Sequence, residues 1–312
     1  MLNVHLLTKN NDQTVTKALE SVMALKPTIL VGDLGSTDRT VDICDNYGAH
    51  IIRMDDRDRS AARNRLIEEA PEGLNMMIEP WEILAQGYEN VAEGYVKVLN
   101  NQTLSKEVRI WTTGHFVNPV YERLESDVQN EVDVLFYTIG GRDHAEDLRL
   151  INLWIEGSPR ITSPYYYKAC TLMAMGQYDE FLKAAEHFLF LDKTSMSSVM
   201  IRYCLSMIYL IHKREYKPVL QNINLCLCAR PLMAEFWCLL GDAYYHLLKR
   251  FVDAKNFYEN AMLLGKRRLA NDKWPMDISK YNQYPQKMIE SCEKIVESHS
   301  TYSHGLFTGR SS

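Results

Sequence analysis

The run Ile29-Leu30-Val31-Gly32-Asp33-Leu34-Gly35-Ser36-Thr37-Asp38-Arg39-Thr40 constrains this chain more tightly than any other segment. A β-branched apolar stretch ends on an acid, passes a glycine turn and meets Ser, Thr and Asp, the residues that cap helices. The layout is strand, turn, helix, with polar groups at the carboxyl end of the strand, where open α/β sheets bind ligands. Backbone amides opening the following helix favour an anionic or hydrogen-bonding ligand.

The same alternation recurs around it. Residues 2–7 read as a strand, and Asn11 or Asp12 can cap a helix reaching Leu25, with Val15, Ala18, Leu19, Val22 and Met23 inward. Pro27 breaks that helix. A strand over 28–31 leads to a helix over 39–47, and Gly48 stands where a left-handed residue closes a helix. A strand over 49–53, a helix over 60–69 and a strand over 74–78 follow. Residues 83–99 read as a helix, and 107–111 and 132–137 as strands. Strands alternating with short helices imply a largely parallel sheet with right-handed crossovers.

Four blocks in order carry a family resemblance: the end of the first strand at Thr8-Lys9-Asn10, Asp33-x-Gly-Ser-x-Asp38-x-Thr40, Ala49-His50-Ile51-Ile52, and Asp58-Arg59-Ser60-Ala61-Ala62-Arg63-Asn64. The series resembles the nucleotide-sugar-binding half of family 2 glycosyltransferases, inverting enzymes with a GT-A fold. The resemblance extends well over residues 1–84 and weakly over 105–125. It implies a compact, Rossmann-like α/β domain that binds a nucleotide-sugar donor, a UDP-sugar by preference, and passes the sugar to an acceptor, here a glycan or protein that the sequence does not identify.

Carried over residue by residue, Asp33 resembles the carboxylate that accepts the uracil N–H, and Thr8 the residue flanking that base. Arg63 resembles the arginine facing the nucleotide; its planar fork suits phosphate. Lys9 is placed to approach the phosphates. Asp38 reads as a helix-capping acid. After the fourth strand the family carries Leu-Asp-x-Asp-Glu, which holds a divalent ion. Here the block is Ile78-Glu79-Pro80-Trp81-Glu82, so Glu79 is the expected ligand for Mn²⁺ or Mg²⁺ and Trp81 offers no oxygen. The family's Pro-Val-His-Glu block reads Pro119-Val120-Tyr121-Glu122, and its histidine is also gone. Mg²⁺ binds through one or two carboxylates plus phosphate and water, so an ion arriving with the donor is the first expectation. The alternative is that Arg63 and its neighbours replace the ion, since charge stabilisation is what the step requires. Inverting transfer also needs a carboxylate base, for which Glu122 is first choice and Asp127 second.

Beyond Gly140-Gly141 helical periodicity takes over and the sequence repeats. Tyr166, Tyr203 and Trp237 lie about 35 residues apart, and so do Tyr178, Tyr216 and Phe251, the spacing of helix-pair repeats. The last copy, Trp237-x-x-Leu240-Gly241-x-x-Tyr244 followed by Ala254-x-x-x-Tyr258-x-x-Ala261, looks like a tetratricopeptide repeat with one residue inserted near Lys249. The expected organisation is a transferase domain over 1–140, an all-α tetratricopeptide-like domain over 141–298 and a mobile tail over 299–312. Such repeats present a groove to a protein partner or to a second copy.

The net charge of −5 argues against nucleic acid as a partner, and no apolar stretch approaches the roughly 20 residues of a membrane span. The first residues carry no basic segment followed by an apolar core, and the expected address is the cytoplasm. The seven cysteines form no CxxC pair and read as free thiols. Two other readings stay open. One is a catalytically weak or inactive descendant that binds nucleotide-sugars and carries a helical interaction module. The other is a sugar-nucleotide pyrophosphorylase, which would want a glycine-rich loop where Thr8–Asp12 has none.

Overall fold

The computed structural model describes residues 1–268 and 272–307, with side chains described as far as Ser298. The chain divides into two compact units, residues 1–167 with 273–275, and residues 168–272 with 276 onward.

The first unit is built on a mixed sheet. Its strands are β1 (Leu2–Thr8), β2 (Thr28–Asp33), β3 (His50–Arg53), β4 (Leu74–Met77), β5 (Glu82–Gln86), β6 (Gly94–Asn100), β7 (Thr103–Trp111) and β10 (Glu131–Thr138). They run in the order β3-β2-β1-β4-β7-β6-β10-β5. Pairing is parallel from β3 through β4 and again between β6 and β10; the other neighbours pair antiparallel. A hairpin of β8 (His115–Val117) and β9 (Arg123–Glu125) stands apart as its own two-stranded sheet. The crossover helices are α1 (Val15–Val22), α2 (Thr40–Asn46) and α3 (Arg59–Glu69). Val15, Ala18, Leu19 and Val22 are buried at helical spacing and join β1, β2 and β4 in the main core. Met23 does not; it lies in a 3₁₀ turn and is 40% exposed.

One expected element is replaced. The helix read over 83–99 is two strands, β5 and β6, joined through Gly87. There φ is +88°, and an added Cβ would meet the Asp133 carbonyl oxygen at 2.1 Å, so only glycine fits. Buried and half-buried residues alternate along β6, the period of a strand. Its apolar residues also fit a helical template, which is why short apolar stretches mislead.

After β10, α4 (His144–Gly157) packs within the first unit. Asp147 is fully buried, and Leu150 and Ile151 join Val120 in a small core. The expected border at 140/141 and the observed division therefore differ by α4 and the first turn of the next helix.

The second unit is made of helix pairs: α5 (Ser163–Ala174) with α6 (Tyr178–Leu191), α7 (Met196–Ile208) with α8 (Tyr216–Ala229), and α9 (Ala234–Ala243) with α10 (Phe251–Gly265). Helix α11 (Gln283–Phe307) follows, so the expected tail is helical as far as Phe307, and residues 308–312 lie outside the described residues. Tyr178, Tyr216 and Phe251 open the second helix of each pair, whereas Tyr166, Tyr203 and Trp237 sit inside the first. The inserted residue near Lys249 has a structural form. Tyr244–Leu248 makes a π turn closed by Lys249 at φ +55°, and Tyr209–Lys213 repeats it with Arg214 at +58°. A π turn is how a helix absorbs one extra residue. Gly241 lets the helices approach: its added Cβ would lie 2.7 Å from the buried Tyr258 ring. The Tyr258 hydroxyl donates to Asp242 at 2.7 Å.

Candidate nucleotide-sugar site

The Asp33–Thr40 loop is closed on itself. Asp33 is buried, and Ser36 N–H donates to its Oδ1 at 3.0 Å. Thr37 N–H donates to Asn10 Oδ1 at 2.8 Å, and Thr40 N–H to Asp38 Oδ1 at 2.9 Å. Asp38 thus serves the start of α2, as expected of a capping acid. Three amides of this loop thus have side-chain acceptors, two within the loop itself and one, Asn10, from the β1–α1 loop.

A cleft of about 310 Å³ opens beside this loop, at the carboxyl ends of β1 and β4. Thr8, Lys9, Arg63, Glu79 and Glu122 line it together, with Arg142; Leu34 lines it and Asp33 does not. Asp127 is exposed and borders a larger cavity of about 1290 Å³, which shares Glu79, Trp81, Glu122 and Arg142 with the cleft.

Each wall has a local cause. Helix α3 is capped by Asp58, whose carboxylate accepts Ala61 N–H at 3.0 Å, and its inner face buries Ser60, Ala62, Arg63 and Leu66. Asn64 fixes that face against β8: it donates to Phe116 O at 2.9 Å and accepts Phe116 N–H at 2.7 Å. Glu122 follows Tyr121, held at φ +52°. Such a conformation persists only where its surroundings over-determine it. Here Tyr121 is stacked on Tyr167 at 4.8 Å, with the Arg142 guanidinium 4.5 Å from its ring centre.

Charges of alternating sign run through the cleft wall. Arg59 and Arg142 both pair with Asp147, Arg142 at 3.1 Å. Arg142 lies 3.8 Å from Glu122 Oε2, and Arg63 Nε donates to Glu122 Oε1 at 2.7 Å. Arg63 Nη2 donates to Glu79 Oε1 at 2.7 Å. Arg109 lies 3.7 Å from that same oxygen and donates to Glu82 at 3.1 Å. Burial opposes the charged form of Glu122, but Arg63, Arg142 and Arg59 outweigh it and hold the carboxyl at about 2. Burial raises Glu82, against Arg109. At the mouth, Lys9 Nζ pairs with Asp56 at 2.7 Å and Glu146 at 3.1 Å.

These residues do not fit a divalent ion. Glu79 Oε1 already meets two guanidinium groups, and Trp81, which lines the cleft beside it, offers no oxygen. Among the described residues no three His, Cys, Asp or Glu side chains gather as a metal site. Arg63 Nη1, Arg109 Nε and Nη1 and Thr8 Oγ1 are buried without a hydrogen-bond partner and can donate to an anion; Glu122 Oε2, also unpartnered, is an acceptor with Arg142 at 3.8 Å.

Sequence reasoning missed Arg59, Arg109, Arg142 and Asp147. Arg109 interrupts an apolar stretch, Val108-Arg109-Ile110, and Asp147 falls on the apolar face of α4 with Leu150 and Ile151. A charge inside an apolar periodicity was the available signal.

Residues 4–72, from β1 past α3, match the family profile described as Glycosyl transferase family 2. That segment carries Thr8, Lys9, Asp33 and Arg63, in agreement with the resemblance drawn from the sequence. No curated protein matches the chain. Among solved structures, MamA from Desulfovibrio magneticus RS-1 (residue 41 to its end) is 21% identical over 54% of this chain and 88% of that one, with a TM-score of 0.39. S. aureus TarS is 12% identical over 91% of this chain and 55% of that one, at 0.33. Glucosyl-3-phosphoglycerate synthase from Mycobacterium tuberculosis, solved with Mn²⁺, UDP and phosphoglyceric acid, is 17% identical over 32% of this chain and 43% of that one, at 0.27. No described helix is long and apolar enough to cross a membrane.

Proposed function

We propose that the first unit binds a nucleotide-sugar, a UDP-sugar by preference, and transfers the sugar with inversion to a glycan or protein acceptor. One observation carries the reading: Thr8, Lys9, Arg63, Glu79 and Glu122, drawn from four separate stretches of chain, line a single cleft at the carboxyl ends of β1 and β4. That is where an α/β sheet takes its ligand. Thr8 and Leu34 offer one wall to the nucleoside, and Asp33 supports that wall from behind by holding the Gly35-Ser36 turn. The cations lie toward the diphosphate.

Of the two candidate bases, Asp127 is the better placed. Glu122 is held in its charged form by arginines, and a carboxylate stabilised so strongly is a weak proton acceptor. Asp127 borders the larger cavity, which has room for an acceptor. The helical repeats are free in this reading to bind a partner or a second copy.

Incubation with UDP-sugars, following UDP and free-sugar release, tests the proposal. Turnover that Asp127→Asn abolishes while UDP still binds supports it, and failure to bind UDP, GDP or TDP overturns it. The pairing of both Glu79 and Glu122 with Arg63 favours one second reading, a nucleotide-sugar-binding unit without turnover. Binding with no sugar release from any donor would select it.

A further inference from the structure

The cations of the cleft are already paired with its carboxylates, and the unpaired donors are what distinguish an anion from a cation here. The lining includes Lys9, Arg59, Arg63 and Arg142, balanced by Glu79, Glu122, Asp143 and Glu146. Both guanidinium contacts of Glu79 fall on Oε1, so a Mg²⁺ or Mn²⁺ ion held by that carboxylate would sit beside two positive charges. Arg63 is 3% exposed, and its Nη1 hydrogens meet no acceptor. A buried donor left unpaired costs about 1–3 kcal/mol, more when charged. A cation cannot relieve that cost, whereas a phosphate oxygen can. The Thr8 hydroxyl, also buried and unpartnered, lines the same cleft and can donate to a phosphate as well.

We propose that the guanidinium groups of Arg63 and Arg142, and not a divalent cation, neutralise the diphosphate of the bound nucleotide-sugar. The inference rests on the nucleotide-sugar reading above and departs from the ion-assisted expectation that the resemblance carries. Arg63 supplies its free Nη1 edge without losing Glu79 or Glu122. Arg142 lies only at the 3.8 Å limit from Glu122 and can turn toward phosphate while keeping Asp147. As the acceptor oxygen bonds to the anomeric carbon and its proton passes to Asp127, the bond from that carbon to the diphosphate breaks and its electron pair stays on the leaving phosphate oxygen. The guanidinium N–H groups then bear on the new charge as an ion would.

The test is calorimetric titration of the full chain with UDP, GDP and TDP, in EDTA and in Mn²⁺, with uridine as the probe lacking phosphate. For the nucleotide that binds, the two conditions should agree within about twofold, under half a kcal/mol. Uridine should bind at least about tenfold more weakly, since a charge-assisted hydrogen bond is worth that much. Arg142→Gln, on a part-exposed loop residue, should weaken the nucleotide by about tenfold in EDTA. Glu79→Gln separates the two chemistries: it frees Arg63 and should leave binding equal or tighter, whereas loss of an ion ligand would weaken it. Binding that requires Mn²⁺, that Glu79→Gln destroys, that survives Arg142→Gln unchanged or that uridine matches overturns the inference and leaves the donor site standing. No binding of any nucleotide in either condition overturns both.

Discussion

Replacing Glu122 by glutamine tests the charge network that shapes the cleft. The side chain is 3% exposed and bonded to Arg63 at 2.7 Å, with Arg142 at 3.8 Å. At an effective dielectric near 20 the shorter contact alone is worth roughly 6 kcal/mol of attraction, much of it offset by desolvating both ions. Removing one partner of a buried pair typically costs about 3–5 kcal/mol, because the other charge is left behind. Glutamine keeps the shape and an acceptor oxygen, so the lower end, about 3 kcal/mol at pH 7, is expected. For a unit of this size that lowers the melting point by roughly 6–12 °C. The carboxyl sits at about 2 when folded, below its ordinary 4.5. Its contribution is therefore complete above pH 4.5 and fades as pH falls toward 2. The gap between wild type and Glu122→Gln should be widest at pH 7, shrink steadily below pH 4.5 and close only below about pH 2. Urea unfolding followed by fluorescence of the buried Trp111, at several pH values, measures it. Equal midpoints at pH 7 with equal slopes, or a gap undiminished at low pH, would refute the reasoning.

Two further outcomes follow from the geometry. Gly87→Ala should lower the urea midpoint of the first unit: the left-handed backbone alone costs about 1–2 kcal/mol, and the overlap with the Asp133 carbonyl adds to it. An unchanged midpoint would mean that the β5–β6 connection is wrong. In the native protein a maleimide should label Cys228, which is exposed, and spare Cys44, Cys204, Cys226, Cys238 and Cys292 until unfolding. Burial pushes Cys44 up to about 11 and Cys226 to about 12, so little thiolate exists to react. Mass mapping that finds those two modified in folded protein would contradict the packing.

What was legible in advance is local. The strand ending at Asp33, the glycine turn and α3 all rest on signals within ten residues, and each stands where its pattern put it; the cap expected at Asn11 or Asp12 does not, since α1 begins after Thr14 with no side-chain cap bond. The repeats were legible because the aromatic spacing recurs, and the inserted residue near Lys249 because it broke that spacing. The region 83–99 was not legible. Its apolar residues fit two periods, and the choice was made by Gly87 lying under Asp133, 46 residues later in the chain.

The site divides in the same way. Strand ends in the sequence put Thr8 and Lys9 at one rim, because the direction of a parallel strand is set by its connections, whereas Arg63, inside α3, and Glu79 were expected there through the family resemblance. Which charges neutralise which was settled only in three dimensions. Arg63 finds Glu79 and Glu122 at separations of 16 and 59 residues, and Arg59 finds Asp147 at 88. Glu79 reads as an ion ligand in one dimension; two arginines claim it in three, because a buried carboxylate takes the counter-charge that packing brings closest.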